Sequence, residues 1–142
     1  MTQTLAGRAP TATSIPPAAN LRPLRVVLAL QIALGLLWGI SELFFARAVL
    51  GPTADGGHVE KMALEGAAHL ALVFAALLVW RHPARARDLL LLMIALNALW
   101  TATDLVYIPL LNLTEWDFFA KLIVNATLAI GLAVSGRRAG IL

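Results

Sequence analysis

The 142-residue sequence has no cysteine, which excludes disulfides, thiolate metal sites, cysteine nucleophiles and cysteine-ligated iron–sulfur clusters. Charge is scarce as well. Asp, Glu, Lys and Arg supply 13% of the residues, against about a quarter in a soluble domain. There is no nucleophile elbow, P-loop or Gly-rich nucleotide fingerprint. The arginines lie at the ends of apolar runs, where topology signals sit, and form no basic face, so nucleic acid is not an expected partner. What is abundant is apolar surface, at 60% of residues. Such a chain belongs in a membrane.

Residues 1–21 are rich in Thr, Ala and Pro and cannot bury enough apolar surface to offset their ordering entropy, so they read as a disordered tail. Residues 22–138 then carry four apolar runs, at about 26–46, 62–80, 89–111 and 118–134. Each approaches the roughly 20 residues that a helix needs to cross a hydrocarbon core. A short polar loop with Gly51, Pro52, Gly56 and Gly57 separates the first two runs, and Arg81, His82 and Pro83 end the second. Pro109 stands where it can kink or terminate the third helix. Residues 139–142 form a short C-terminus. The fold class is therefore all-α, an integral membrane four-helix bundle.

Orientation follows from the basic residues. Arg8, Arg22, Arg25, Arg81, Arg85, Arg87, Arg137 and Arg138 fall on one side of the four runs, leaving Arg47, Lys61 and Lys121 toward the other. The positive-inside rule then places both termini of this multi-pass membrane protein in the cytoplasm.

The chain is also duplicated. Residues 32–45, IALGLLWGISELFF, align with residues 94–107, IALNALWTATDLVY, at a fixed offset with six of fourteen positions identical. Ser41 matches Thr103, Glu42 matches Asp104 and Phe45 matches Tyr107. More faintly, Glu65, His69 and Leu72 match Lys121, Asn125 and Leu128. The two halves point the same way, which makes them parallel-repeat helical hairpins about an axis along the membrane normal.

Each repeat sets a Trp one turn before an acid inside an apolar run. An intramembrane carboxylate costs up to about 2.5–3.5 kcal/mol on insertion scales and is a functional hypothesis by default. At 1.5 Å per residue, Glu42, Glu65, His69, Asp104, Lys121 and Asn125 all fall in the outer half of the bilayer. The inner half reads as almost pure Leu, Ala, Val and Ile. Residues three, four and seven apart share a helix face, so the first helix presents Trp38, Ser41, Glu42 and Phe45, and the second Glu65 and His69. The third presents Asn97, Trp100, Asp104 and Tyr107, and the fourth Lys121 and Asn125. Lys121 would pair with Glu42 or Asp104, and Glu65, one turn from His69, would share a proton with it. The expected ligand site is a cup open to the outer leaflet and walled by Trp38, Trp100 and Tyr107.

Three plainer readings stand beside it. The polar residues could form a packing network that only fixes the helices, and Trp38 and Trp100 could simply fill core space. A metal is not expected. The di-iron bundle pattern uses Glu-x2-His twice, whereas Glu65 and His69 are spaced Glu-x3-His once and Lys121 takes the symmetry-related place. Transport would need a homodimer or larger membrane complex, for which Gly66, Ala67, Ala71, Gly131 and Ala133 offer close contact faces.

Four short spans and a hairpin repeated around Leu-Trp-x2-[Ser/Thr]-acid-Leu resemble the DoxX-like group of small bacterial membrane proteins, from about Arg25 to Val134. That resemblance implies a bacterial inner-membrane setting and, because some members are associated with quinone-linked redox complexes, a quinone as the first ligand to consider. The sequence thus reads as a protein of membrane lipid surroundings that binds a quinone or isoprenoid-like molecule, an accessory subunit of a redox complex. Two alternatives remain open. One is a membrane-embedded isomerase or hydrolase whose catalytic candidates are Glu65, His69 and Asp104. The other is a structural or assembly subunit.

Overall fold

In the computed structural model, which describes residues 20–114 and 116–142, four helices form a bundle. They are α1 (Arg22–Leu50), α2 (Gly56–Arg81), α3 (Arg87–Leu110) and α4 (Trp116–Arg138), with a 3-10 turn at Pro83–Arg85. All four are long and apolar enough to cross a membrane. The predicted tail lies outside the described residues up to position 19. Its last two residues belong to the fold: Asn20 accepts the Arg22 amide at 3.1 Å through Oδ1, and Leu21 packs on the core.

Local chemistry explains the helix ends. Pro23 sits in the first turn of α1, where its missing N–H is no loss. Asp55 caps α2 by accepting the His58 amide at 3.0 Å, and its other oxygen meets the His58 ring. This exposed carboxyl is held below the usual Asp value by the His58 amide first and the His58 side chain next. Pro83 stops α2. At the far end of α4, Gly140 takes a φ of 69°, its amide reaching Arg137 and that of Ile141 reaching Gly136. This left-handed closure folds the C-terminus back, so that Ile141 and Leu142 pack on the core.

Consecutive helices pair most extensively, α1 with α2 and α3 with α4, while α1 meets α4 and α2 meets α3 more lightly. The architecture is thus two hairpins side by side. The tightest approach is between α1 and α2, where a Cβ on Gly66 would lie 2.5 Å from the Leu43 amide nitrogen and 2.9 Å from the Gly39 carbonyl oxygen. Glycine is required there because backbone meets backbone. Gly66, which the sequence offered as a face for a second copy, is used inside the hairpin.

Along the bundle axis the interior changes character. At the arginine-rich end it is apolar, with Leu24, Leu28, Leu72, Val79, Leu90, Met93 and Leu132 forming a continuous core. Phe74, Leu37, Leu64, Leu99 and Ile130, each 61–64% exposed, cover the outside as a lipid-facing surface does. The duplication is visible in three dimensions. Ser41 donates to the Leu37 carbonyl at 2.6 Å and its equivalent Thr103 to the Leu99 carbonyl at 2.9 Å, which satisfies both hydroxyls inside their own helices.

Candidate functional site

Toward the end opposite the arginines, the interior face of α1 runs through Gln31, Gly35, Gly39, Glu42 and Ala46. The two glycines let α2 come close, and that contact delivers His69 to Glu42. Nδ1 of His69 lies 3.0 Å from Oε2 of Glu42, and Lys121 of α4 donates to Oε1 at 2.8 Å. Both carboxylate oxygens are thereby engaged. The Glu42 side chain is 5% exposed, that of His69 10% and that of Lys121 27%. Three helices are clasped by one carboxylate.

The imidazole also lies between two indoles. Its centroid is 4.8 Å from that of Trp100 and 5.8 Å from that of Trp38, both tilted, so the two equivalent tryptophans of the repeat meet on one ring. With Nδ1 committed to Glu42, the ring orientation is fixed.

The second half of the repeat is arranged alike and charged differently. In the first half Glu42 touches His69 within its own hairpin and Lys121 across the hairpins. In the second, Asp104 stands beside Asn125, the equivalent of His69, and feels both Lys121 and Glu65. Glu65 is the equivalent of Lys121. Where the first half joins acid to ammonium directly, the second has an amide in place of the imidazole and an acid in place of the ammonium, while the Lys121 charge also reaches Asp104. Asp104 and Glu65 are both only partly buried. The cluster holds three carboxyl groups, one ammonium and one imidazole; Lys121 bonds to Glu42 and its charge also acts on Asp104.

The expected site residues divide accordingly. Trp38, Glu42, His69, Trp100 and Lys121 come together in the closed part, and Glu65, Asp104 and Asn125 adjoin it as a more open corner. Three expectations need correction. His69 bonds to Glu42 and not to Glu65, because the glycine contact brings α1 closer to the ring than the preceding turn of its own helix. Tyr107 is no wall of the cup. It is 50% exposed in the last turn of α3, past the polar layer, where an aromatic ring with a polar tip suits the membrane boundary. Phe45, its equivalent, is 55% exposed and sits at a break in α1 with φ −122° and ψ 19°.

The third correction concerns depth. Asn97 is fully buried, and its Nδ2 donates to Gln31 of α1 at 3.0 Å and to the Met93 carbonyl at 2.8 Å. A polar pair therefore bridges α1 and α3 below the cluster, inside the region read as purely apolar. Gln31 was missed, although its spacing of four, four and three from Gly35, Gly39 and Glu42 marks it as facing inward. Oδ1 of Asn97 has no partner among the described residues.

The two cavities of note lie elsewhere. One of about 520 Å³ flanks Phe44, Phe45, Arg47 and Pro52 at the C-terminal end of α1, and one of about 300 Å³ lies between α1 and α4 at the arginine end. The closed part of the cluster is filled by its own side chains. Among the described residues no group of three or more His, Asp or Glu is arranged to hold a metal ion. Compared with protein-family models, curated proteins and solved structures, the chain matches none of them.

Proposed function

We propose that this protein binds a lipid-soluble small molecule of the quinone or isoprenoid class, whose polar head docks at the corner formed by Asp104, Glu65 and Asn125 beside Trp100. One observation supports the reading: the repeat closes its first polar site with a lysine bonded to Glu42, while the equivalent position of the second site is the acid Glu65, so Asp104 shares the Lys121 charge and has no ion pair of its own among the described residues. Carboxyl groups within a bundle that share one ammonium already bound to a third are relieved by a proton or by a bound group. A ligand that offers hydroxyl or carbonyl groups at this depth meets hydrogen-bonding partners and an indole face together. In this proposal the closed Glu42, His69 and Lys121 triad is the rigid support and the acid corner is the part that exchanges. The resemblance to the DoxX-like group implies the same ligand class, an inner-membrane location with cytoplasmic termini, and service as an accessory subunit of a redox complex.

The test is mass spectrometry of organic extracts, with optical spectra, on protein purified in mild detergent. Wild type is compared with the Asp104→Asn/Glu65→Gln double variant. A quinone or isoprenoid that co-purifies with wild type and is lost from a variant of unchanged helicity supports the proposal. Equal retention by both proteins, or an empty wild type, overturns it.

A second reading is favoured by the complete satisfaction of Glu42. In it the whole cluster is a clasp that fixes packing, and the double variant then changes only stability or the retention of partner proteins.

A further inference from the structure

At the arginine end, α1 and α4 enclose a cavity of about 300 Å³ lined by Pro23, Val27, Ile130, Gly131, Val134, Ser135 and Arg138. Small residues create it. Gly131 has no side chain, and a Cβ there would already lie 3.2 Å from Val27. Ser135 turns its hydroxyl into its own helix, donating to the Gly131 carbonyl, so it lends the groove no polar character. The walls are apolar from Val27 to Val134. Ile130 and Val134, at 64% and 45% exposed, leave the groove open on its lipid-facing side.

Its mouth is different. Arg138 is exposed at the rim, one turn past Val134, where the hydrocarbon gives way to the headgroup region. Arg22, Arg25 and Arg137 belong to the same end of the bundle, while Asp88 is the one acid among the described residues there. Arg25 is partly engaged over the Trp80 ring at 5.8 Å. The Arg138 guanidinium makes no ion pair among the described residues. An apolar slot ending in a guanidinium with no ion pair among the described residues matches one kind of molecule in its surroundings. The volume lies at the low end of ligand cavities, roughly 300–1,000 Å³, and suits part of an acyl tail and not a whole small molecule.

We infer that this groove is a binding site for a single anionic phospholipid, one acyl chain lying between α1 and α4 across Gly131 and the phosphate held by Arg138 through charge-assisted hydrogen bonds. The site is independent of the polar cluster at the other end. It makes the α1–α4 seam, one of the lighter helix contacts, partly a protein–lipid–protein contact. Arg138 is suited to the role because its planar fork matches phosphate oxygens.

Native mass spectrometry of the full chain, with phosphatidylglycerol or phosphatidylcholine of identical acyl chains added to the detergent, tests it. Wild type should retain one phosphatidylglycerol in about fivefold preference over phosphatidylcholine, the equivalent of about 1 kcal/mol for one basic residue near an anionic surface. Arg138→Gln should erase that preference. Arg137→Gln, on the neighbouring position outside the groove, should keep most of it. Val134→Trp, which fills the groove from its exposed side without entering the core, should lower retention of both lipids while circular dichroism stays unchanged. Glycerol phosphate in excess should not displace the bound lipid, since the tail supplies half of the site. Equal retention of the two lipids by wild type overturns the inference. So does an equal loss from Arg137→Gln and Arg138→Gln, which would make the effect one of diffuse charge, or displacement by glycerol phosphate, which would make it a phosphate site without a tail.

Discussion

The pair between Glu42 and Lys121 should behave as one energetic unit, and a double-mutant cycle measures this. Glu42→Gln leaves the Lys121 ammonium without its carboxylate. Removing one partner of a buried ion pair costs about 3–5 kcal/mol, and the low end applies because the Lys121 side chain keeps 27% exposure and can reach toward the membrane boundary. Lys121→Met leaves a carboxylate that is 5% exposed with His69 as its remaining partner, so about 3–4 kcal/mol is expected on the same basis. In the double variant no unpaired charge remains and the cost should return to about 3 kcal/mol. The coupling is then about 3 kcal/mol, at the top of the range for residues in contact. Unfolding in mixed micelles with increasing dodecyl sulfate, followed by tryptophan emission, reads all four corners of the cycle, since Trp38 and Trp100 lie close to His69. A coupling near 0.6 kcal/mol, about the average for measured interhelical contacts, would refute the argument that this carboxylate clasps three helices.

Other outcomes follow from the same contacts. Gly66→Ala should destabilise by about 3 kcal/mol, the upper end for overpacking, because its Cβ would stand 2.5 Å from the Leu43 nitrogen and only backbone can yield; an unchanged unfolding midpoint would contradict the tight hairpin. Gly131→Ala, whose nearest neighbour is a Val27 side chain at 3.2 Å, should stay within about 1 kcal/mol of wild type, helped by the better helix propensity of Ala. Because the Asp55 carboxyl is held below its usual value, its capping contribution is fully present above the unfolded Asp value of about 3.9 and is lost as pH falls through the lower folded value. The His58 amide resonance should therefore titrate with a midpoint below that of free Asp, and Asp55→Asn should abolish the titration; a midpoint at or above the free value would contradict the cap.

Much of this molecule was legible in its sequence because two signals in it are strong. Twenty-residue apolar runs leave no alternative to helices in lipid, and the repeated Trp-x3-acid fixes which positions of α1 and α3 are equivalent. Residue spacing also brought Trp38, Glu42, His69, Trp100 and Lys121 to one interior. What could not be read was the choice of partner. Whether His69 takes Glu42 or Glu65 depends on how closely α1 and α2 approach, a distance set by Gly39 and Gly66 acting together, and whether Lys121 takes Glu42 or Asp104 depends on how α4 sits between α1 and α3. Tyr107 was misplaced because helical spacing gives a face but not the height at which the bundle stops enclosing that face. Gln31 went unnoticed because it has no counterpart in the second repeat: at the fixed offset its equivalent is Met93, and its partner Asn97 lies one turn further along α3.

The central claim, that the open acid corner receives a ligand beside Trp100 while the closed triad supports it, is tested most directly by tryptophan quenching. Trp38, Trp80 and Trp116 are changed to Phe so that Trp100 alone reports, and a short-chain quinone is titrated into vesicles containing the protein. The account predicts saturable quenching that Asp104→Asn/Glu65→Gln converts to a weak, linear response. Linear quenching of the same slope in both proteins would mean that the quinone meets Trp100 only by diffusion through lipid, and would contradict it.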